Sequence, residues 1–237
     1  MHAKSLLVLF AFALLACSVS AGQRKPAVVT PPPPGNSFRA VLARLYTETS
    51  TEDKGNGNVT FFSSFSKSGS KDTDAAFGER DGFRRITYFT SVASTFGKYS
   101  PQALTMYIAV PDCKPPVFFV SPRVFRNSWL FLNKVSVLAD ADLVLDREVE
   151  TDAKPTREIY PGGVEETVDL TLTEKQLTEL RKVEKAKKVN VRITGGKGYV
   201  SLTAKEAASF KGDLAGSIRI YDTVSRMVAD KRYDPCS

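Results

Sequence analysis

The stretch Val164–Thr194, VEETVDLTLTEKQLTELRKVEKAKKVNVRIT, changes its hydrophobic period twice, and that double change decides the fold class. Val164–Leu172 follows the turn residues Pro161-Gly162-Gly163 and alternates apolar with polar side chains, as a strand does. Thr173-Glu174-Lys175-Gln176 then has the capping-box spacing, with Thr at the N-cap and Gln three residues on. Leu177, Leu180 and Val183 continue as a helical stripe, which predicts a helix to about Lys187. Val189–Thr194 returns to alternation.

Downstream, Gly195–Gly198 (GGKG) predicts a tight turn, with Tyr199–Leu202 as the hairpin partner of Val189–Thr194. A second capping box, Thr203 to Glu206, opens a final helix that places Ala207, Phe210, Leu214, Ile218, Tyr221 and Met227 broadly on one side. Gly212 and Gly216 are expected to weaken or kink it.

Upstream, aromatic and β-branched residues predict strands over Val59–Ser66, Arg84–Thr95, Ala103–Val110, Val117–Val120, Ser128–Ala139 and Leu143–Glu150. In Ser128–Ala139, the residues Trp129, Phe131, Val135 and Val137 are expected on one sheet face. Thr51–Asn58 and Lys67–Gly82 read as loops, and Ser37–Thr49 as a short amphipathic helix. Strands in a run, followed by helix, hairpin and helix, exclude a doubly wound parallel sheet. They predict an α+β fold: an antiparallel β-rich domain with a sandwich-like sheet, followed by helix–β-hairpin–helix. Fifteen Phe and eight Tyr supply the apolar area for a core in the expected globular region, residues 38–237.

The N-terminus reads as an export signal. Met1–Lys4 is a short basic segment and Ser5–Ala16 (SLLVLFAFALLA) an apolar run, too short for the roughly 20 residues that span a bilayer. Two cleavage sites compete. Val19-Ser20-Ala21 suits general signal peptidase, making residues 1–21 the signal. Leu14-Leu15-Ala16-Cys17 suits lipoprotein processing after residues 1–16, with Cys17 lipidated. Residues 22–37 contain Pro31–Pro34 and predict an extended polyproline linker. Asn58-Val59-Thr60 is a glycosylation sequon, relevant in a eukaryotic host. Cys113 and Cys236 are the remaining thiols, and in an oxidising compartment they are expected to pair as a disulfide.

The only histidine is His2, inside the signal. Its loss removes imidazole bases, Ser-His-Asp and Cys-His nucleophiles and His-ligated metals from the exported chain. No G-x-S-x-G is present. A Ser-Lys dyad hosted by Ser63–Ser66 or Ser68–Ser70 remains the serine mechanism open to it. The formal charge of +7 falls to +6 without Lys4, too modest to point to a nucleic acid.

Four further clusters attract attention. Arg181, Lys182, Lys185, Lys187 and Lys188 would form a basic helix face suited to anionic lipid or lipopolysaccharide headgroups. Asp140, Asp142, Asp146, Glu148, Glu150 and Asp152 form an acidic ladder, and Asp72-Thr73-Asp74 a smaller pair. The ladder has no glycine for the sharp turn that calcium sites use, the pair is a weak candidate in a loop, and both read as solvated surface. Gly195–Gly198 joins two strands and does not open a helix, so it is a turn and no phosphate cradle.

Residues 117–228 resemble a module of small uncharacterised bacterial envelope lipoproteins. The likeness rests on Trp129-Leu130-Phe131, Arg157-Glu158, Glu165–Leu170 (EETVDL), the capped helix, Val189–Gly195 (VNVRITG), the hairpin and the final helix. The resemblance implies an envelope location, a β-rich fold with two helices, and no catalytic residues.

The sequence therefore leads to an exported, membrane-anchored envelope protein with a non-catalytic binding or assembly role. It needs no cofactor or metal, and its partner would be another protein or an envelope polymer. The alternatives are a secreted hydrolase using a carboxylate pair, and an anionic-surface binder acting through residues 181–188.

Overall fold

The computed structural model describes residues 47–65, 74–91, 100–112, 114–149 and 153–229, all within a unit running from Pro31 to Ser237. The order is β1 (Thr47–Gly55), β2 (Asn58–Phe65), β3 (Asp74–Asp81), β4 (Ile86–Ser91), β5 (Gln102–Pro111), β6 (Val117–Arg126), β7 (Leu132–Ala139), β8 (Asp142–Glu148), β9 (Thr156–Tyr160), β10 (Gly163–Thr167), β11 (Leu170–Thr171), α1 (Glu174–Leu180), a 3-10 turn (Arg181–Lys185), β12 (Val189–Gly195), β13 (Gly198–Ser201) and α2 (Ala204–Ala229). The fold is α+β and dominated by antiparallel sheet, with the expected helix–hairpin–helix at its end.

A nine-stranded sheet has the order β1-β2-β3-β4-β5-β6-β10-β9, and β11 also pairs with β6. A four-stranded sheet has the order β13-β12-β7-β8. The hairpin β7–β8 thus belongs to the small sheet although the chain reaches it between β6 and β10, which are neighbours in the large one.

Alternation along the central strands sets the core. Phe89 of β4, Leu104, Met106 and Ile108 of β5, and Phe118, Val120 and Val124 of β6 are all buried. They form one cluster with Phe210, Leu214, Ile218, Tyr221 and Val224 of α2, and with Val135, Val137, Val191 and Ile193 of the small sheet. Helix α2 contacts β3, β4 and β5 of the large sheet as well as β12 and the 3-10 turn, so its middle is covered on most sides. It runs unbroken through both glycines. Gly216 is there because of a close approach: a Cβ would lie 2.6 Å from Ser91 Oγ on β4.

Glu166 of β10 joins the two sheets. It is 1% exposed, and its carboxylate accepts hydrogen bonds from the amides of Leu130 (2.5 Å), Phe131 (2.9 Å) and Leu132 (3.0 Å) and from Arg157 Nε (3.3 Å). Such convergence needs a sharp bend, and Phe131 adopts a left-handed φ of 58°. Its ring is capped by Arg157 and Lys197, 5.3 and 5.0 Å from the centroid. The amides of Gly196 and Lys197 bond back to the carbonyls of Phe131 and Leu130.

Several sequence expectations change. β1 and β3 occupy stretches read as loops, with the turn between β1 and β2 confined to Asn56-Gly57. β1 is an edge strand, where polar side chains are favoured because they discourage pairing with other chains. The helix expected over 37–49 lies outside the described residues as far as residue 46, and Thr47–Thr49 belong to β1. β9 was not foreseen; all five of its residues are exposed, so it carries no burial pattern. The bend at Phe131 breaks the alternation expected from Trp129, so that Leu130 and Leu132 are buried while Phe131 is 41% exposed. Helix α1 stops at Leu180, well short of Lys187.

Candidate functional site

Local chemistry at the start of α2 builds the site. The amide and hydroxyl of Thr203 donate to Glu206 Oε2 at 2.7 and 2.8 Å, and Thr203 Oγ1 accepts from the Glu206 amide at 3.3 Å. This is the predicted capping box. Glu206 also accepts from the Ser100 hydroxyl and, at 3.4 Å, from Gln102 Nε2. It therefore fastens the helix start to the entry of β5. Burial alone would raise the Glu206 carboxyl, but the hydrogen bonds from Ser100, Thr203 and Gln102 outweigh it and hold the group below its usual range.

Between this fastening and β5 lies a cleft of about 310 Å³. The strand side contributes Gln102, Leu104 and Thr105, and the helix side Lys205, Ser209 and Asp213. Lys205 is exposed, whereas Asp213 is only 2% exposed. Asp213 lies two turns beyond Glu206, about 10 Å along the axis. Its Oδ1 has no hydrogen-bond partner among the described residues, and the same holds for Oγ of Ser217, one turn further and 0% exposed. Burial pushes the Asp213 carboxyl up to about 7. The cleft is thus lined by one carboxylate engaged by Ser100, Gln102 and Thr203 and by a second, buried one whose Oδ1 accepts no hydrogen bond among the described residues.

Asp213 was not among the sequence candidates. A signal for it existed: with Gly216, Ser217, Ile220 and Val224 it forms a second buried stripe beside the one through Phe210 and Leu214. An acid at a helical core position is the kind of residue that composition and motif searches pass over.

The basic residues expected on one α-helix face lie past its end, because the α-helix stops at Leu180 and a 3-10 turn follows. Arg181 forms a two-pronged pair with Asp222 of α2, at 2.9 and 2.5 Å, and Lys182 pairs with Glu179 at 2.5 Å. Lys185, Lys187 and Lys188 remain exposed. The amides of Lys187 and Lys188 donate to Asp140 Oδ1 at 3.0 and 2.9 Å, which turns the chain into β12.

The described residues of the acidic ladder do not converge. Asp146 is taken by Lys134 and Ser136, both at 2.7 Å, while Asp142 and Glu148 are exposed. Val144, between them, is buried. No group of three or more metal-ligating side chains occurs among the described residues. Gly195–Gly198 is the turn between β12 and β13, as expected.

Cys17, Cys113 and Cys236 lie outside the described residues, as do Asp72, Glu150 and Asp152. Ser64-Phe65-Ser66-Lys67 and Ser68-Gly69-Ser70-Lys71 have S-x-x-K spacing, the nucleophile–lysine pattern, and residues 66–73 also fall outside. Among the described residues no helix is long and apolar enough to cross a membrane. No family model, no curated protein and no solved structure matches the chain.

Proposed function

We propose that the chain is an exported cell-envelope protein with a non-catalytic binding role, and that its ligand sits in the cleft between α2 and β5. The observation that carries this reading is Asp213: a buried side chain lining the cleft, whose Oδ1 has no partner among the described residues. Burying an unsatisfied polar group costs about 1–3 kcal/mol, so a fold that keeps one beside an open cleft has a use for an incoming donor. Export is supported by the apolar run Ser5–Ala16, and membrane attachment by Cys17.

A thermal-shift screen of small envelope-type molecules tests the binding role. A ligand of the cleft raises the melting temperature of the native chain but not that of Ser209→Trp, which fills the mouth. If every stabilising compound acts equally on both, the cleft is not the site. Palmitate labelling of cells tests the anchor, with incorporation into the native protein expected and none into Cys17→Ala.

A carboxylate-pair hydrolase is the second reading, favoured by two acids in one cleft whose environments push their proton affinities apart. Against it, Glu206 already serves Ser100, Gln102 and Thr203, and a general base or nucleophile needs a free oxygen aimed at substrate. Glycoside turnover by the native chain that disappears in Asp213→Asn would establish the hydrolase in place of the binding protein.

A further inference from the structure

Asp213 is the one carboxylate among the described residues with a buried oxygen that accepts no hydrogen bond. Leu104 and Phe210 line the cleft with it and offer no donor. The charged side chains lining the cleft are Asp213, Glu206 and Lys205, two negative and one positive. Of the other charges on α2 and the elements packed on it, Arg80 of β3 is held by Asp112, Arg181 of the 3-10 turn by Asp222, Lys211 of α2 donates to the Ala186 carbonyl, and Glu79, Glu184, Lys185 and Arg192 are exposed; none of these lines the cleft. An anion would bring a third negative charge into a space bounded by two. With Asp213 ionised, a neutral hydroxyl would satisfy the oxygen but leave the excess negative charge in place. A monocation with N–H donors does both.

We infer that the cleft receives a small molecule through a protonated amine, whose ammonium donates to Asp213 Oδ1 while Gln102 and Ser209 meet its neutral part. This rests on the cleft being the ligand site. At roughly 30 Å³ for a water-sized group, the volume holds a molecule of about ten non-hydrogen atoms. Binding requires Asp213 as the carboxylate. When the site starts protonated, the ammonium replaces that proton, which leaves to solvent. Amine affinity therefore rises with pH until Asp213 is ionised. Glu206, held below its usual range, stays ionised through this range and contributes no step to it.

Calorimetric titration of the full chain with matched probes tests the assignment: n-butylamine against n-butanol, and aminocyclohexanol against cyclohexanediol, near pH 6 and near pH 8. The amine of each pair is expected to bind, about tenfold more tightly at the higher pH, and the alcohol to bind at least tenfold more weakly than its amine. Asp213→Asn, which preserves shape, should lose at least tenfold in amine affinity and flatten the pH response. The wild-type pH response reads the same point without any variant. Equal binding of alcohol and amine, or unchanged amine binding by Asp213→Asn, overturns the ammonium assignment while leaving the cleft as a site. If no probe binds the native chain better than it binds Ser209→Trp, both the assignment and the cleft reading fall.

Discussion

The carboxylate of Glu166 on β10 accepts the amide of Phe131 at 2.9 Å, across the junction between the large and small sheets. With the amides of Leu130 and Leu132, this leaves a buried anion solvated by backbone alone, apart from Arg157. Removing the carboxylate strands three amides at once. Glu166→Ala should cost about 3 kcal/mol or more, and Glu166→Gln, which keeps one good acceptor, about 1–2 kcal/mol. Urea unfolding with an unchanged denaturant slope measures both, and a loss below about 0.5 kcal/mol for the alanine variant would remove Glu166 from this role.

The β12–β13 turn offers a matched pair of glycines on the same junction. A Cβ on Gly195 would lie 2.4 Å from the Leu130 carbonyl oxygen and 2.7 Å from that of Phe131, both backbone atoms that cannot swing aside. On Gly196 the nearest neighbour is 3.6 Å away, an ordinary contact. Gly195→Ala should therefore cost about 1–3 kcal/mol, and Gly196→Ala should fall within about 0.5 kcal/mol of the native chain. Melting temperatures of the two variants side by side check the contrast.

Asp213 gives stability an unusual pH slope. Its folded proton affinity, raised to about 7, exceeds that of the unfolded chain, near 3.8. Between those values the folded state holds a proton that the unfolded state has released. The contribution of Asp213 is thus fully present below about pH 4, declines as pH rises toward 7, and is gone above it. The swing is at most on the order of 4 kcal/mol. Glu206 and Asp112, both held below their usual range, act oppositely, and their contributions are lost only on acidification below about pH 4. Denaturation midpoints from about pH 5 to 8 should fall in the native chain and stay flatter in Asp213→Asn. Parallel curves would show that Asp213 ionises normally.

Thr203 carries two duties, capping α2 and holding the Glu206 carboxylate. Thr203→Ala should cost about 1 kcal/mol, and the amides of Ala204, Lys205 and Glu206 should exchange hydrogen faster. The same exchange experiment on Thr173→Ala should show the effect at the start of α1 only. Unchanged exchange at α2 would mean that its first turn is held by something other than its cap.

What the sequence revealed was chemistry confined to a few neighbouring residues. Thr173 with Gln176, Thr203 with Glu206, and the Gly195–Gly198 turn each depend on partners three or four positions away, and each formed as expected. β1 (TETSTEDKG) and β3 (DAAFGERD) were hidden because their ladders come from backbone pairing with β2 and β4, and their sequences hold few large apolar residues. The bend at Phe131 was hidden because its cause, Glu166, lies 35 residues further along. Asp213 was hidden for a related reason: seven residues separate it from Glu206 on the helix, but only β5, brought alongside by the sheet, turns those two positions into a cleft.

The placement of β7–β8 in a different sheet from the strands on either side of it governs how the chain can acquire its shape as it emerges from its N-terminal end. When β6 appears, one of its long sides has no neighbour, and none arrives until β10 has followed. Meanwhile β7 can close only on β8, because β12 comes later still. Two unfinished sheets must therefore wait at once. Glu166 arrives with β10, already carrying the acceptor for the three amides at the entry to β7. Ending the chain anywhere before residue 189 leaves at least one sheet without an inner strand. Partial products should consequently be sticky, protease-sensitive species, and not smaller working versions of the protein.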